Sequence, residues 1–167
     1  MEREYGWVET PLGSMFFAAR NGALCEAGFV NTWAREVQEP EEEATTELSQ
    51  GAEQIRDAIA AYFAGDVDAL DRISVEPEGT EFQRAVWQAI RDVPAGQTAS
   101  YQEIAQAVGK PSAARAVGGA TGRNPVGIAV PCHRIVRADG RLGGYGGGLD
   151  RKQWFLDHER KHLGESA

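Results

Sequence analysis

The residues of this chain best suited to chemistry stand together as Pro131-Cys132-His133-Arg134. A cysteine becomes a nucleophile when a nearby base or positive charge favours its thiolate, and Cys132 has an imidazole and a guanidinium next to it in sequence. Adjacent side chains of an extended segment point to opposite faces, so His133 is expected to reach the sulfur through a water or around a bend. An imidazole used as a base needs a third group to orient it, and Glu159 is the candidate. The chemistry implied is attack by an ionised sulfur. The second cysteine, Cys25, alternates within an apolar stretch and reads as a small buried residue, with no bridge to Cys132 expected. His158 and His162 stand four apart, a spacing that could clip a metal, but an exposed helix face explains them more simply. Residues 1–79 contain Cys25 and no histidine, so four zinc ligands cannot be assembled there. No metal site and no cofactor are expected.

The elements that must position Cys132 are readable from periodicity and caps. In MFFAARNGALCEAGF two apolar runs flank Asn21-Gly22, the signature of a hairpin with a type I′ turn. Gln38 to Thr46 is acidic and aperiodic, hence a solvated loop. From Ser49, the spacing of Ile55, Ile59, Tyr62 and Phe63 predicts a helix that Gly65 ends. Residues 66–79 read as a connector, with Ile73 and Val75 in a short strand. Thr80 with Gln83 predicts a capping box for a helix whose apolar face is Phe82, Val86, Trp87 and Ile90, up to a turn at Pro94. Ser100 with Glu103 starts a second such helix, carrying Ile104, Ala105 and Val108 and closing at Gly109. Ser112 is expected to cap a third, PSAARAVGGATG, which includes Ala114 and Arg115 and is otherwise nearly all small. These two helices, joined by GKPS, form a helix-turn-helix candidate. Short side chains let a helix lie close against a DNA groove, although close packing in a core is the ordinary use of such a helix. After Asn124-Pro125 and the glycine-rich RADGRLGGYGGGLD, a last helix is expected, capped by Asp150 with Gln153. Trp87 and Trp154 read as core residues, and Lys152 is as readily solvated as placed against the preceding loop. The fold class expected is α+β. A small N-terminal α/β domain with an antiparallel-containing sheet over residues 1–79 precedes a mainly helical, winged-helix-like domain over 80–167.

Composition sets outer limits. A chain of 167 residues can bury a core without staples. No apolar run approaches the roughly 18 residues of a membrane span, and MEREYGWVET lacks an export leader, so a soluble cytoplasmic protein is expected, with no membrane partner. The net charge of −8 would oppose binding to nucleic acid if it were uniform. It is not: residues 1–79 hold 5 Lys and Arg against 17 Asp and Glu, whereas residues 80–167 hold 12 against 8. The second half can therefore face phosphates while the first keeps the molecule soluble.

The ordered segments GTEFQRAVWQAI, PAGQTASYQEIA, GKPSAARAVGGA, NPVGIAVPCHRIV and GGYGGGLDRKQWFLDHE resemble the O6-alkylguanine-DNA alkyltransferases, also called methylated-DNA–protein-cysteine methyltransferases. The resemblance is dense over 80–159 and looser over 1–79, where LGSMFFAARNGALCEAGF and AYFAG fit the family's first domain. It implies that Cys132 displaces the alkyl carbon from guanine O6, or from O4 of thymine, while His133, through a water, and Glu159 keep the sulfur deprotonated. The thioether is not reversed, so each molecule acts once. The target atom lies inside the duplex, which requires base flipping. The resemblance assigns Arg115 to the gap in the stack, Tyr101 to the phosphate and the base, and Asn124 to a hinge before the thiol. It assigns the carbonyls of Cys132 and Ile135 to the guanine amine, and the loop of Tyr145 and Gly146 to closure over the base. Ser112 and Ala114 fall where the helix-turn-helix meets DNA. Gly146 departs from the serine that relatives often carry. The partner implied is double-stranded DNA containing O6-alkylguanine, bound by a monomer associated with the nucleoid. A lesion-binding protein without transfer is opposed by Cys132 itself, and an unrelated Cys-His hydrolase leaves the helix-turn-helix and Arg115 without a purpose.

Overall fold

The structure, a computed structural model, describes residues 3–29, 45, 47–145 and 148–163. The acidic stretch Gln38 to Thr46 falls outside the described residues, apart from Thr45. The chain opens with three antiparallel strands in the order β1 (Glu4–Thr10), β2 (Gly13–Arg20), β3 (Ala23–Phe29). The turn between β2 and β3 has positive φ at both Asn21 (54°) and Gly22 (77°), as a type I′ turn demands. Met15 to Ala19 of β2 are all buried, and Met15, Phe17 and Ala19 share one face of the strand and one apolar cluster with Ile55 and Ile59 of helix α1 (Gln50–Phe63). Ser49 caps α1 by accepting from Ala52 N, and Ile55, Ile59 and Tyr62 form its buried stripe. A short 3-10 helix, Ala69–Arg72, follows.

The free edge of β3 is where the two halves of the sequence join. Leu24 N donates to Ser74 O and Glu76 N donates to Leu24 O, so Val75 makes a parallel bridge as expected, while Ile73 lies outside it. Further along the same edge, Ala27 N donates to Pro125 O and Gly127 N to Ala27 O, which anchors the segment leading to Cys132.

The second half is mainly helical: α2 (Glu81–Arg91), α3 (Tyr101–Ala107), α4 (Ala114–Gly122) and α5 (Leu149–Lys161). Capping boxes form at Thr80 with Gln83 and at Ser100 with Glu103. Two expected caps do not. The N-cap of α4 is Ala113, one residue beyond Ser112, and that of α5 is Gly148, with Asp150 inside the first turn; neither has a side-chain cap bond. Two-residue strands β4 (Ala99–Ser100) and β5 (Ile135–Val136) pair in parallel. Trp87 donates from Nε1 to Ala120 O at 2.9 Å, tying α2 to the small-residue helix. One buried apolar cluster runs from Phe17, Ile55 and Ile59 through Val86 and Ile90 to Ile135 and Phe155.

Candidate active site

Three backbone features bring the predicted residues together. First, the β4–β5 pairing, Ala99 opposite Ile135 and Ser100 opposite Val136, starts α3 at Tyr101 beside the Cys132 segment. Second, the approach from Asn124 to Val130 is a tight turn in which Ile128 has φ of 68°. A β-branched residue there costs on the order of 1–3 kcal/mol and persists only where its surroundings over-determine it. Here they do: Val130 N donates to Val126 O, Ala129 N to Gly127 O, and the turn is pinned to β3. Third, Cys132–Arg134 is a 3-10 turn, a bend of the kind that the sequence left open beside an extended segment, closed by Arg134 N donating to Pro131 O.

Asn124, itself buried, does three jobs. Its Nδ2 donates to Val130 O at 2.9 Å and to Cys132 Sγ at 3.2 Å, and its Oδ1 accepts from Val126 N at 2.9 Å. The sulfur in turn donates to Thr121 O at 3.5 Å, so it lies against the C-terminal turn of α4. Cys132 is only 6% exposed. Burial pushes its thiol up to about 12, against the pull of the Asn124 N–H and the Lys152 charge. The ionised sulfur expected from sequence is therefore a neutral thiol in the resting protein, because desolvation outweighs the positive neighbours. Its proton has to leave during any reaction.

The next residue in the chain carries an imidazole. His133 is fully buried, with Nε2 2.7 Å from Glu159 Oε2. A carboxylate only accepts, so Nε2 carries the proton and Nδ1 is the basic atom. Nδ1 is sealed from solvent and has no hydrogen-bond partner among the described residues. Burial, with the charges of Arg134 and Lys152, holds the imidazole below its usual value despite Glu159, so the resting ring is a neutral base. Glu159 is fully buried on α5. Burial alone would raise its carboxyl, but His133 and Arg134 hold it well below the usual carboxylate range. Arg134 donates from Nε to Oε1 and from Nη2 to Oε2, both at 2.9 Å, and from Nη1 to Val93 O at 2.7 Å.

Lys152, which sequence leaves between solvation and the loop, is fully buried. Its Nζ donates to Ile135 O at 2.6 Å, to Gly144 O at 3.3 Å and to Leu142 O, clamping the glycine-rich loop to β5. Burial, opposed by Cys132, draws it down to about 8. Near it, Tyr101 is half-buried and Gly143 has φ of 70°; a Cβ on Gly143 would stand 3.2 Å from the Tyr101 hydroxyl. Burial and the adjacent Cys132 raise the Tyr101 phenol, so it stays a donor at neutral pH. Tyr145 is half-buried against Phe155, whereas Gly146 lies outside the described residues. Arg115 and Ser112 are exposed at the start of α4, and Ala114 is half-buried.

Several expectations need correction or completion. His158 is not on an exposed face: it is buried, 2.7 Å from Tyr62 O and stacked on Trp154. No group of three or more metal-ligating side chains occurs among the described residues. Cys25 is buried and bonded to Ala18 O, as a core residue would be. Sequence reasoning missed Tyr62 as a part of the site, took Arg134 only for its charge beside the thiol and not as a partner of Glu159, and left Lys152 undecided. The one signal for Arg134 was its place beside the Cys-His pair.

A buried thiol held by an amide, an imidazole oriented by a buried carboxylate, and two short helices packed beside them fit a protein that works through a cysteine next to a nucleic-acid-binding motif. Residues 81–161 match the family model described as 6-O-methylguanine DNA methyltransferase, DNA binding domain. The methylated-DNA–protein-cysteine methyltransferase of Mycolicibacterium paratuberculosis is 45% identical over 159 residues, covering 95% of this chain and 93% of that protein. That of Methanosarcina barkeri is 39% identical, covering 95% of this chain and 98% of its own. The crystal structure of Mycobacterium tuberculosis OGT in complex with DNA matches with a TM-score of 0.79 at 36% identity, covering 95% of this chain and 94% of that one. The chain belongs to the methylated-DNA–protein-cysteine methyltransferase family.

Proposed function

We propose that this protein repairs O6-alkylguanine, and O4-alkylthymine, in double-stranded DNA by moving the alkyl group once and irreversibly to Cys132. The observation that carries this reading is the thiol bonded to Asn124 beside a neutral imidazole whose other nitrogen is fixed by Glu159. In the transfer, the sulfur-carbon bond forms as the carbon-oxygen bond to the base breaks. The thiol proton passes through a water to His133 Nδ1, and Glu159 stabilises the imidazolium. The base leaves as an anion that accepts a hydrogen bond from the Tyr101 hydroxyl and takes up a proton from solvent as it departs. No step cleaves the thioether, so the protein is consumed, and no cofactor takes part.

A target inside the stack must be flipped out. Arg115, exposed near the start of α4, fills the gap with its planar cation, while Ser112 and Ala114 meet the backbone. The carbonyls of Cys132 and Ile135 receive the guanine amine; the Ile135 oxygen keeps one lone pair beyond its bond to Lys152. Tyr145 and Gly146 close over the base, and Asn124 is the hinge before the thiol. In this reading residues 1–79 form the solubilising domain and residues 80–167 the DNA-binding and acceptor domain. The protein acts as a monomer, in the cytoplasm on the nucleoid. Among the described residues no helix is long and apolar enough to cross a membrane. The extrusion role is tested by Arg115→Ala. Its repair of duplex DNA is expected to fall at least tenfold more than its reaction with free benzylguanine, about the 1.4 kcal/mol that separates the two barriers; equal losses would remove the role.

A further inference from the structure

The carboxylate that orients His133 has a donor from an unexpected part of the chain. Tyr62, fully buried near the end of α1, donates its hydroxyl to Glu159 Oε2 at 2.7 Å. That is the same oxygen that lies 2.7 Å from His133 Nε2 and receives Arg134 Nη2. The phenol is fixed on several sides: its ring packs against Phe155 and His158, and His158 Nε2 lies 2.7 Å from the Tyr62 carbonyl.

We propose that Tyr62 is a positioning residue of the transfer reaction, its hydroxyl sharing Glu159 Oε2 with His133 and so setting how strongly the carboxylate holds the imidazolium. The inference rests on the transfer reading given above. Its physical basis is the division of one negative charge among donors. Each hydrogen bond that Glu159 accepts disperses its charge and weakens its pull on a proton at His133 Nε2 and, through the ring, at Nδ1. Arg134 contributes a fixed positive charge, but Tyr62 contributes a neutral donor whose strength the phenol chemistry sets. With it, the ring stays neutral and able to take the thiol proton near pH 7. Without it, the ring holds its proton to a higher pH, and its neutral, proton-accepting form is reached only there.

The other titratable groups facing the pair are Lys152 from α5, Cys132 from the same turn, Tyr145 from the loop before α5, and Asp71 from the 3-10 helix after α1. Lys152 donates instead to the backbone oxygens of Ile135 and Gly144. Tyr62 itself stays protonated through the working range, because burial and the Glu159 charge raise its phenol well above the usual value. The inference gives the first half of the chain a part in the reaction: α1 supplies a donor to a relay otherwise built from residues 132–134 and 159.

The test is Tyr62→Phe in the full chain, with His133 followed by nitrogen NMR as pH is varied. No DNA is needed for this readout. The His133 midpoint is expected to rise by about one pH unit, the size of part of one hydrogen bond to a charged group. The acid limb of the methyl-transfer rate should move with it by the same amount. An unmoved midpoint overturns the proposal, whatever happens to the melting temperature. Fluorotyrosine placed at position 62 keeps the shape and strengthens the donor, so it should lower the midpoint; a rise or no change again overturns the proposal. A midpoint that moves as expected in a protein whose wild type transfers no methyl group would uphold the Tyr62 link and discard the transfer reading.

Discussion

Glu159 accepts hydrogen bonds from Tyr62, from Arg134 at both oxygens and, in its resting tautomer, from His133, all away from water. Its charge is tolerable there only because both oxygens accept hydrogen bonds, three donors on Oε2 and one on Oε1, and a guanidinium lies alongside. Glu159→Gln leaves Arg134 buried without its counter-charge, and we expect a loss of stability of about 3–5 kcal/mol. Transfer should also slow by at least about 10²-fold, as when a positioned base loses its orienting partner. Urea unfolding and single-turnover transfer check the two effects, and a variant that transfers at the wild-type rate would show the carboxylate to be structural only. The pairing of His133 with Glu159 was legible because an imidazole read as a base calls for a third group to orient it, and the two lie 2.7 Å apart. Tyr62 was not, and the buried partners of Arg134 and Lys152 were not. Arginine and lysine read as solvated groups unless a buried acceptor is known, and neither the Glu159 carboxylate nor the carbonyls around Lys152 Nζ can be located before the chain is folded.

At the scale of elements, local chemistry predicted what local chemistry controls. Thr80 and Ser100 each precede a helix by one residue and have an N3 partner, and both boxes close. Ser112 and Asp150 have the same residue types but the wrong place. The turn closed by Ala113 N donating to Lys110 O delays α4 past Ser112, and Gly148, at φ of 95°, starts α5 before Asp150. Asp150 then serves the positive end of the helix dipole instead. Thr80→Ala and Ser100→Ala should each cost about 1 kcal/mol, whereas Ser112→Ala should change stability by less than about 0.5 kcal/mol. Equal costs at all three positions would restore the cap at Ser112. The hairpin and α1 were equally readable from Asn21-Gly22 and the spacing of Ile55, Ile59 and Tyr62. The turn that carries Cys132 was not, since it depends on the β3 edge holding Gly127 and on Ile128 in a conformation that its side chain disfavours.

Across the whole molecule, the two halves differ in charge yet share one apolar cluster and the Glu159 network, so protonating that network should be felt globally. His133 and Glu159 both titrate lower in the folded protein than in the unfolded chain. The unfolded chain therefore binds protons that the native state refuses, and stability falls as pH falls. The loss should begin near pH 6.5, the unperturbed imidazole value, and steepen below about 4.3, the unperturbed glutamate value. Denaturant midpoints measured from pH 7.5 to pH 4, about the span of those two values, check this; an unchanged midpoint would mean that the network does not stay unprotonated. The unequal charge of the halves was legible in the sequence, but their shared core was not, because packing between distant segments has no local signature. The central claim is that Cys132 is the alkyl acceptor. Incubating the protein with a duplex containing one O6-methylguanine and weighing its peptides should show one added methyl group, on the peptide bearing Cys132, with Cys25 unmodified. A repaired duplex with no gain in protein mass, or a methyl group on any other residue, would contradict it.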